Sequence, residues 1–456
     1  MAEPQTTEPV GEVDDASALS PEQLGFMCGI EVHQQLGTGK LHSRQPGTLY
    51  DVTIDTVPAD WHRFERKLRP ARGEGGAIDI AARFETRRNR SFVYVQSPNA
   101  GLIELDDQPP LDHDEDAIQI ALTVSALLEA KPVSLLQTMR KTVVDGSNTS
   151  GFQRTSLVAT DGVLQTDGGP VGIDVLCLEE DSARKLDTLS TPNGEQVIYN
   201  LDRLGLPLIE IATAPDVTSP EHAKVTSMAL GRVLRQTRKV RRGLGSIRQD
   251  LNVSLACGDR VEIKGCQDLN WIPRIIRLEM SRQLHFYRLA NELRTMLNLS
   301  PLPPDRRSDD DQLEASVAAS VAEHLPLNLH DVTSSFTSCE SKMVAGGLAK
   351  GHVMLGLPLA GLNGKFGTKT MDKEGSQLPR LGRELAGAAK LAGVKGVFHS
   401  DELPAYGIEQ DHVDGVRNTL SLSPEDGFIL CLAPKWQAEL ALESVLQRAR
   451  LAWHRI

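Results

Sequence analysis

Four segments put polar residues on one face of a strand-like run, and the types are those that hold cations and phosphate. In Gly29-Ile-Glu-Val-His-Gln-Gln-Leu36, alternation sends Ile30 and Val32 to one face and Glu31, His33 and Gln35 to the other. The largely apolar run Val171–Leu178 closes on Glu179-Glu180-Asp181, three adjacent acids that repel unless a cation lies among them. Leu206-Pro-Leu-Ile-Glu-Ile211 sets one carboxylate, Glu210, inside an apolar strand, where it needs a partner or a metal. Ile247–Leu255 puts Arg248, Asp250, Asn252 and Ser254 on one face. After the turn Cys257-Gly258-Asp259, Glu262 and Lys264 continue the pattern on a hairpin partner. Together Glu31, His33, Glu180, Glu210 and Asp250 are oxygen and imidazole ligands without thiolates. That set suits Mg²⁺ or Mn²⁺ better than Zn²⁺. Mg²⁺ beside Arg and Lys is the usual apparatus for a transferring phosphoryl group. Read singly, a His or Glu on a strand face is more often solvated or salt-bridged, and alternation alone does not bring the four segments together.

Three further stretches are dense in polar groups. Arg140–Ser156 carries two glycines, several hydroxyls and cations at both ends; it could cradle an anion, although its composition favours an ordinary polar turn. Residues 61–72 hold five cations and one acid, with aromatics interleaved. Residues 232–248 hold Arg232, Arg235, Arg238, Lys239, Arg241, Arg242 and Arg248 with no acid, and are the stronger candidate for phosphate contacts, with a solvated helix end as the even-weighted alternative. No Walker A spacing is present.

The elements that must position these groups read as an α+β protein. Helical periodicity covers 116–130, 220–234, where Ser219-Pro220-Glu221 opens the helix, and 271–297. Residues 1–22 are acidic and Pro-, Ser- and Thr-rich, which predicts a disordered tail. The expected organisation is then a cradle of mixed and antiparallel strands over 23–299, a linker over 300–324, an α+β domain over 325–432 with a helix at 380–392, and an amphipathic helix over 433–456. The chain has 456 residues, 49 Lys+Arg and 61 Asp+Glu, for a formal charge of −12. That charge argues against nonspecific DNA coating but leaves room for local basic surfaces. The acidic N-terminus is not a secretory signal, and no apolar run approaches the roughly 18 residues of a membrane span. Six scattered cysteines, none in C-x-x-C spacing, point to a reducing cytoplasm.

The sequence resembles the archaeal GatE family of glutamyl-tRNA(Gln) amidotransferases, relatives of bacterial GatB. The matching stretches are GIEVHQQL (29–36), RKTVVDGSNTSGFQRTSLVA (140–159), CLEEDSAR (177–184), YNLDRLGLPLIEIATAPDVTSPEHAK (199–224), GLGSIRQDLNVSL (243–255) and VEIKGCQDLNWIP (261–273). FHSDELPAYGI (398–408) is similar to the insertion domain of bacterial-type aspartyl-tRNA synthetases. The resemblance implies a ligase of protein biosynthesis, in which ATP phosphorylates the γ-carboxylate of glutamate mischarged on tRNA(Gln). Ammonia from an asparaginase-like partner amidase then displaces phosphate to give Gln-tRNA(Gln). It implies a cytoplasmic hetero-oligomer, two amidase and two amidotransferase subunits in the family, with ATP and Mg²⁺.

Matched by motif, His33, Glu180 and Glu210 fall on Mg²⁺-ligating positions, with Glu31 close by and Asp250 near the nucleotide and a second metal. Lys141, Arg248 and Lys264 would face phosphates, and Asn252 and Glu262 are weaker candidates. Glu179 and Glu180 point to opposite faces of any continuous strand, and the motif favours Glu180. Where family members often carry cysteines after the first motif, this chain has Lys40-Leu-His-Ser-Arg. Family members also continue into helical and tail domains that grip tRNA, so 433–456 reads as the start of a shortened helical segment. Two other readings follow: a catalytically impaired protein that only binds tRNA or the amidase, or a metal-dependent ligase of a small free acid.

Overall fold

In the computed structural model, residues 4–67, 82, 85, 86, 90–191, 194–367 and 370–456 are described. Residues 68–72 of the basic stretch 61–72 lie outside them. Chain contacts divide into two compact units: Cys28–Asn252 with Glu262–Ile272, and Met1–Met27 with Val253–Val261 and Pro273–Ile456.

The first unit carries strands β1 (Met27–Gln35), β2 (Arg63–Lys67), β3 (Arg90–Val95), β4 (Lys131–Pro132), β5 (Thr138–Thr142), β6 (Phe152–Thr166), β7 (Gly169–Glu180), β8 (Arg184–Thr191), β9 (Gly194–Asn200), β10 (Pro207–Thr213), β11 (Ile247–Ser254) and β12 (Val261–Ile263). Among the described residues, eight form one sheet in the order β12-β11-β1-β10-β7-β6-β4, with β5 also paired to β6. The β1–β10, β10–β7 and β7–β6 pairs are antiparallel. A smaller sheet runs β2-β3-β9-β8, and its β3–β9 pair is parallel. Phe92, Tyr94, Val197 and Tyr199 pack together in the core of that sheet. Helices α1 (Glu115–Leu127) and α2 (Pro220–Gln236) occupy two of the expected positions. Asp114 caps α1, accepting from the Ala117 amide at 2.9 Å. Ser219 caps α2, accepting from the His222 amide at 3.1 Å, with Pro220 in the first turn where no amide is missed.

The second unit holds helices α3 (Ile272–Met296), α4 (Asp311–His324), α5 (Lys342–Leu348), α6 (Leu381–Lys390), α7 (Gln410–Thr419) and α8 (Lys435–Arg450), and strands β13 (His330–Asp331), β14 (Val353–Leu359), β15 (Phe398–His399) and β16 (Gly427–Ala433). The strands form an antiparallel sheet in the order β13-β14-β16-β15. No helix among the described residues is long and apolar enough to cross a membrane.

Four boundaries differ from those read in the sequence. Residues 4–22 are packed rather than loose. Ala16 and Leu19 are buried, the Tyr287 hydroxyl donates to Glu8 at 3.0 Å, and Ser281 donates to the Val13 carbonyl at 2.7 Å. A few apolar anchors and backbone bonds outweigh an acidic average. The expected linker contains α4, which Asp310 caps through the Gln312 and Leu313 amides. The long helix α3, expected in the cradle, clusters almost wholly with the second unit. The final helix does not stand apart: Ala438, Ala441, Leu442, Val445, Leu446 and Ala449 sit in the main core of that unit, with Trp453 fully buried behind them.

Candidate active site

Antiparallel register carries the candidate residues to one face of the eight-stranded sheet. On β1, Glu31 and His33 are half-buried while Ile30 and Val32 are buried, as alternation requires. His33 lies directly opposite Glu210 of β10. On the far side of β10, Leu208 pairs with Glu179 of β7, so Glu179 is the diagonal neighbour of Glu210 on the same face. Thr155 of β6 pairs with Glu179 and donates to it at 3.0 Å.

The side chains converge. His33 Nε2 lies 3.3 Å from Glu31 Oε1 and 3.2 Å from Glu179 Oε1. Lys141 Nζ, from β5, donates to Glu210 at 2.8 Å and to Glu179 at 3.2 Å. Two overlapping triads have ligand atoms within 4.8 Å of one another: His33, Glu179 and Glu210, and Glu31, His33 and Asp250. Among the described residues, His33 Nδ1 is buried without a hydrogen-bond partner, and Glu179 Oε1 makes no regular hydrogen bond although His33 Nε2 lies 3.2 Å away. Buried polar atoms are normally satisfied, so this pair marks a place for a ligand. Hard carboxylate oxygens with a single imidazole fit Mg²⁺ or Mn²⁺.

The electrostatics agree. Burial, then the hydrogen bond and charge of Glu179, push the Glu210 carboxyl up to about 7. Burial also acts to raise Glu179, but its contacts with His33, Glu210 and Lys141 prevail and hold it down at about 2. Burial disfavours the His33 cation, yet the surrounding carboxylates raise it overall, Glu179 foremost. Burial likewise opposes the Lys141 cation, and Glu179 and Glu210 more than offset it, so its pKa rises. Two carboxylates this close share a proton or need a cation.

Glu180, read in the sequence as the ligand, lies on the opposite face and is a correction to that reading. Arg154 Nη1 holds both its oxygens, at 3.0 and 3.2 Å. Burial raises its carboxyl in spite of that guanidinium. Glu179 takes its place in the cluster. Nothing in the run Glu179-Glu180-Asp181 reveals which acid shares the sheet face of His33 and Glu210; the β7–β10 register decides it. Asp181 was also missed. It accepts from Gln35 Nε2 at 2.7 Å and from the Ser182 amide at 2.9 Å, and lies 3.5 Å from Arg203 and 4.0 Å from Arg248.

Asp250 of β11 accepts from the Gly265 amide at 2.8 Å and lies 3.5 Å from Lys264, which meets Glu262 at 2.5 Å. The expected hairpin therefore forms and gathers Asp250, Glu262 and Lys264. Arg248 and Asn252 stand two positions to either side of Asp250 and share its face by strand alternation. In the Arg140–Ser156 stretch the Ser147 amide is used by Asp145 at 2.9 Å, which fits the ordinary turn better than an anion cradle. Of the 232–248 cations, Arg241 is structural, donating to the Leu36 carbonyl at 2.9 Å, whereas Arg232, Arg235, Arg238, Lys239 and Arg242 are at least partly exposed.

Residues 26–339 match the family model described as the GatB/GatE catalytic domain. The chain belongs to the GatB/GatE family. It is 43% identical over 435 residues to the glutamyl-tRNA(Gln) amidotransferase GatE protein of Pyrococcus furiosus, covering 95% of this chain and 63% of that protein. The corresponding protein of Methanosarcina acetivorans is 42% identical over 94% of this chain, and that of Sulfurisphaera tokodaii 40% over 95%. The chain spans about 63% of the length of the Pyrococcus relative. The GatB/GatE match includes all five residues of the two triads.

Proposed function

We propose that this chain supplies the activating site of a tRNA-dependent Glu-tRNA(Gln) amidotransferase, a carbon–nitrogen ligase of protein biosynthesis. The observation that carries the reading is the two overlapping carboxylate–imidazole triads, with their unsatisfied buried atoms, inside a GatB/GatE catalytic domain. Glu31, His33, Glu179, Glu210 and Asp250 are the residues that would hold Mg²⁺, which when bound neutralises phosphate charge. Lys141, Arg248 and Lys264 orient the phosphates of ATP, with Asn252 and Glu262 beside them. In the proposed reaction the γ-carboxylate of the tRNA-bound glutamate attacks the γ-phosphorus of ATP and ADP leaves. Ammonia then attacks the activated carbonyl and phosphate leaves, giving Gln-tRNA(Gln). Phosphorylation is needed because a carboxylate is a poor acyl donor. The side chains hold the two reactants in line, so that positioning lowers the barrier.

The reading extends to partners. An asparaginase-like amidase supplies ammonia in a cytoplasmic assembly of two amidase and two amidotransferase subunits. The unit carrying β13–β16 is the counterpart of the aspartyl-tRNA synthetase insertion domain. The test is amidation of Glu-tRNA(Gln) with ATP, Mg²⁺, glutamine and the partner amidase. Glu-tRNA(Gln)-dependent release of ADP supports the reading. A band shift with tRNA but no ADP release would instead make the chain a tRNA-binding component. Amide formation on free glutamate alone would make it a small-acid ligase.

A further inference from the structure

The second unit contains a cavity of about 620 Å³ that the proposed reaction does not use. It is far larger than a water site and within the range of small-molecule pockets. His399 of β15 is among its lining residues; it is 8% exposed and its Nδ1 has no hydrogen-bond partner among the described residues. The ring is held by Phe366, at 5.4 Å between centroids, and by close packing on α6: a Cβ at Gly382 would come within 2.6 Å of its Nε2. A buried, unsatisfied imidazole lining a roomy cavity of mixed polar and apolar character asks for a ligand.

The remaining lining narrows the chemistry. Met343 and Tyr406 are about half exposed at the cavity, offering a thioether and an aromatic face to a flat ring. Arg383 is exposed on α6, and no acid among the described residues pairs with it, whereas its neighbour Glu384 is taken up by Arg282 and Arg448. Arg380 is already joined to Asp14. Arg383 is therefore the lining cation available to meet a phosphate. Asp401 is spent on the Gly364, Phe366 and Gly367 amides. Glu402 accepts from the Tyr406 hydroxyl at 3.2 Å and lies 3.9 Å from His399, which leaves acceptor capacity for hydroxyl donors.

We infer that this cavity binds a ribonucleoside 5′-monophosphate: the base against Tyr406 and Met343 with its edge on His399, the ribose hydroxyls on Glu402, and the phosphate on Arg383. The same chemistry is offered by a free nucleotide and by the end of an RNA strand, and binding experiments separate the two. The probes are adenosine 5′-monophosphate, 2′,3′-dideoxyadenosine 5′-monophosphate, adenosine, and a 5′-phosphorylated oligoadenylate RNA, titrated calorimetrically into the full chain and into its Glu210→Gln variant. That variant perturbs the sheet site alone, and Arg383→Glu and Ala386→Trp perturb the cavity alone. Saturable binding of the monophosphate in both proteins is expected. It should weaken at least tenfold for Arg383→Glu, for adenosine and for the dideoxy nucleotide. Ala386→Trp, which fills the cavity from the surface of α6, should abolish it. Tighter binding of the RNA than of the monophosphate identifies the strand end as the source, and the reverse identifies the free nucleotide. Absence of saturable binding, or binding unchanged in both Arg383→Glu and Ala386→Trp, overturns the inference.

Discussion

His33 and Glu210 face each other directly across the antiparallel β1–β10 pair, and Glu179 reaches both from the strand on the far side of β10. Directly opposite side chains come within ~5 Å at Cβ and diagonal ones within ~7–8 Å, so two backbone registers bring three candidate ligands together without help from a loop. A one-residue slip of either pair would turn its ligands to the opposite face. The site is therefore as rigid as the sheet that carries it.

Glu179 and Glu180 should separate cleanly. Glu179→Gln removes a proposed ligand and should weaken Mn²⁺ binding by at least about 100-fold, beyond the ~10–100-fold typical of outer-shell partners. Glu180→Gln should leave Mn²⁺ binding within about threefold but lower stability by about 1.5–3 kcal/mol, because the half-satisfied Arg154 stays buried. Electron paramagnetic resonance titration with chemical denaturation reads both. Loss of metal binding in the Glu180 variant alone would restore the sequence-based assignment.

The metal-free protein should carry a pH signature from Glu210. Its carboxyl is raised from 4.5 to about 7, so between these values the folded state holds a proton that the unfolded chain has released. Stability contributed by this group then falls as pH rises from 4.5 to 7. The lowered Glu179 acts at more acid pH, outside that window. The melting temperature of the wild type relative to Glu210→Gln should drop by several degrees between about pH 5 and 7.5. Mg²⁺ should stabilise increasingly over the same range, since binding must expel the proton. A wild-type–variant difference that is flat with pH would show that no proton is held there.

The sequence made some of this legible and not the rest, for physical reasons. Alternation along 29–36 and 247–255 assigned the right faces to Glu31, His33 and Asp250, because one face is buried and the pleat has period two. The Glu179–Glu180 choice depended on pairing with β10, a long-range register that local pattern does not encode. Residues 4–22 looked loose because composition averages over Ala16 and Leu19, which are few but fully packed. Arg241 looked like a phosphate cation because charge alone does not show that its guanidinium is spent on a backbone carbonyl.

Lys141 should compete with the metal. Its ammonium bridges Glu179 and Glu210, filling with a protein cation the place where their charge is otherwise unbalanced. Lys141→Met should tighten Mn²⁺ binding by roughly tenfold, equivalent to about 1.4 kcal/mol, and, on the proposed function, should abolish ATP-dependent amidation. Tighter metal and lost turnover in one variant would be hard to obtain from misfolding. Weaker metal binding would mean that Lys141 organises the carboxylates instead of occupying their site.

Trp453 should prove a core residue of the second unit and not an ornament of its last turn. It is fully buried, its indole donates to the Leu293 carbonyl at 3.1 Å, and its own carbonyl accepts from Arg294 at 2.7 Å. Arg294 in turn ion-pairs with Glu314 of α4, so the one side chain ties α3, α4 and the end of α8 together. Trp453→Ala should cost about 3–5 kcal/mol from lost burial and the cavity left behind, lowering the melting temperature by roughly 10 °C for a unit of this size. Trp453→Phe, which keeps most of the volume but loses the indole hydrogen bond, should cost about 1–2 kcal/mol. Mn²⁺ affinity at the sheet site should be unchanged in both, because His33, Glu179 and Glu210 belong to the other unit. Equal small losses for Ala and Phe would mean that the final helix is peripheral to the second unit.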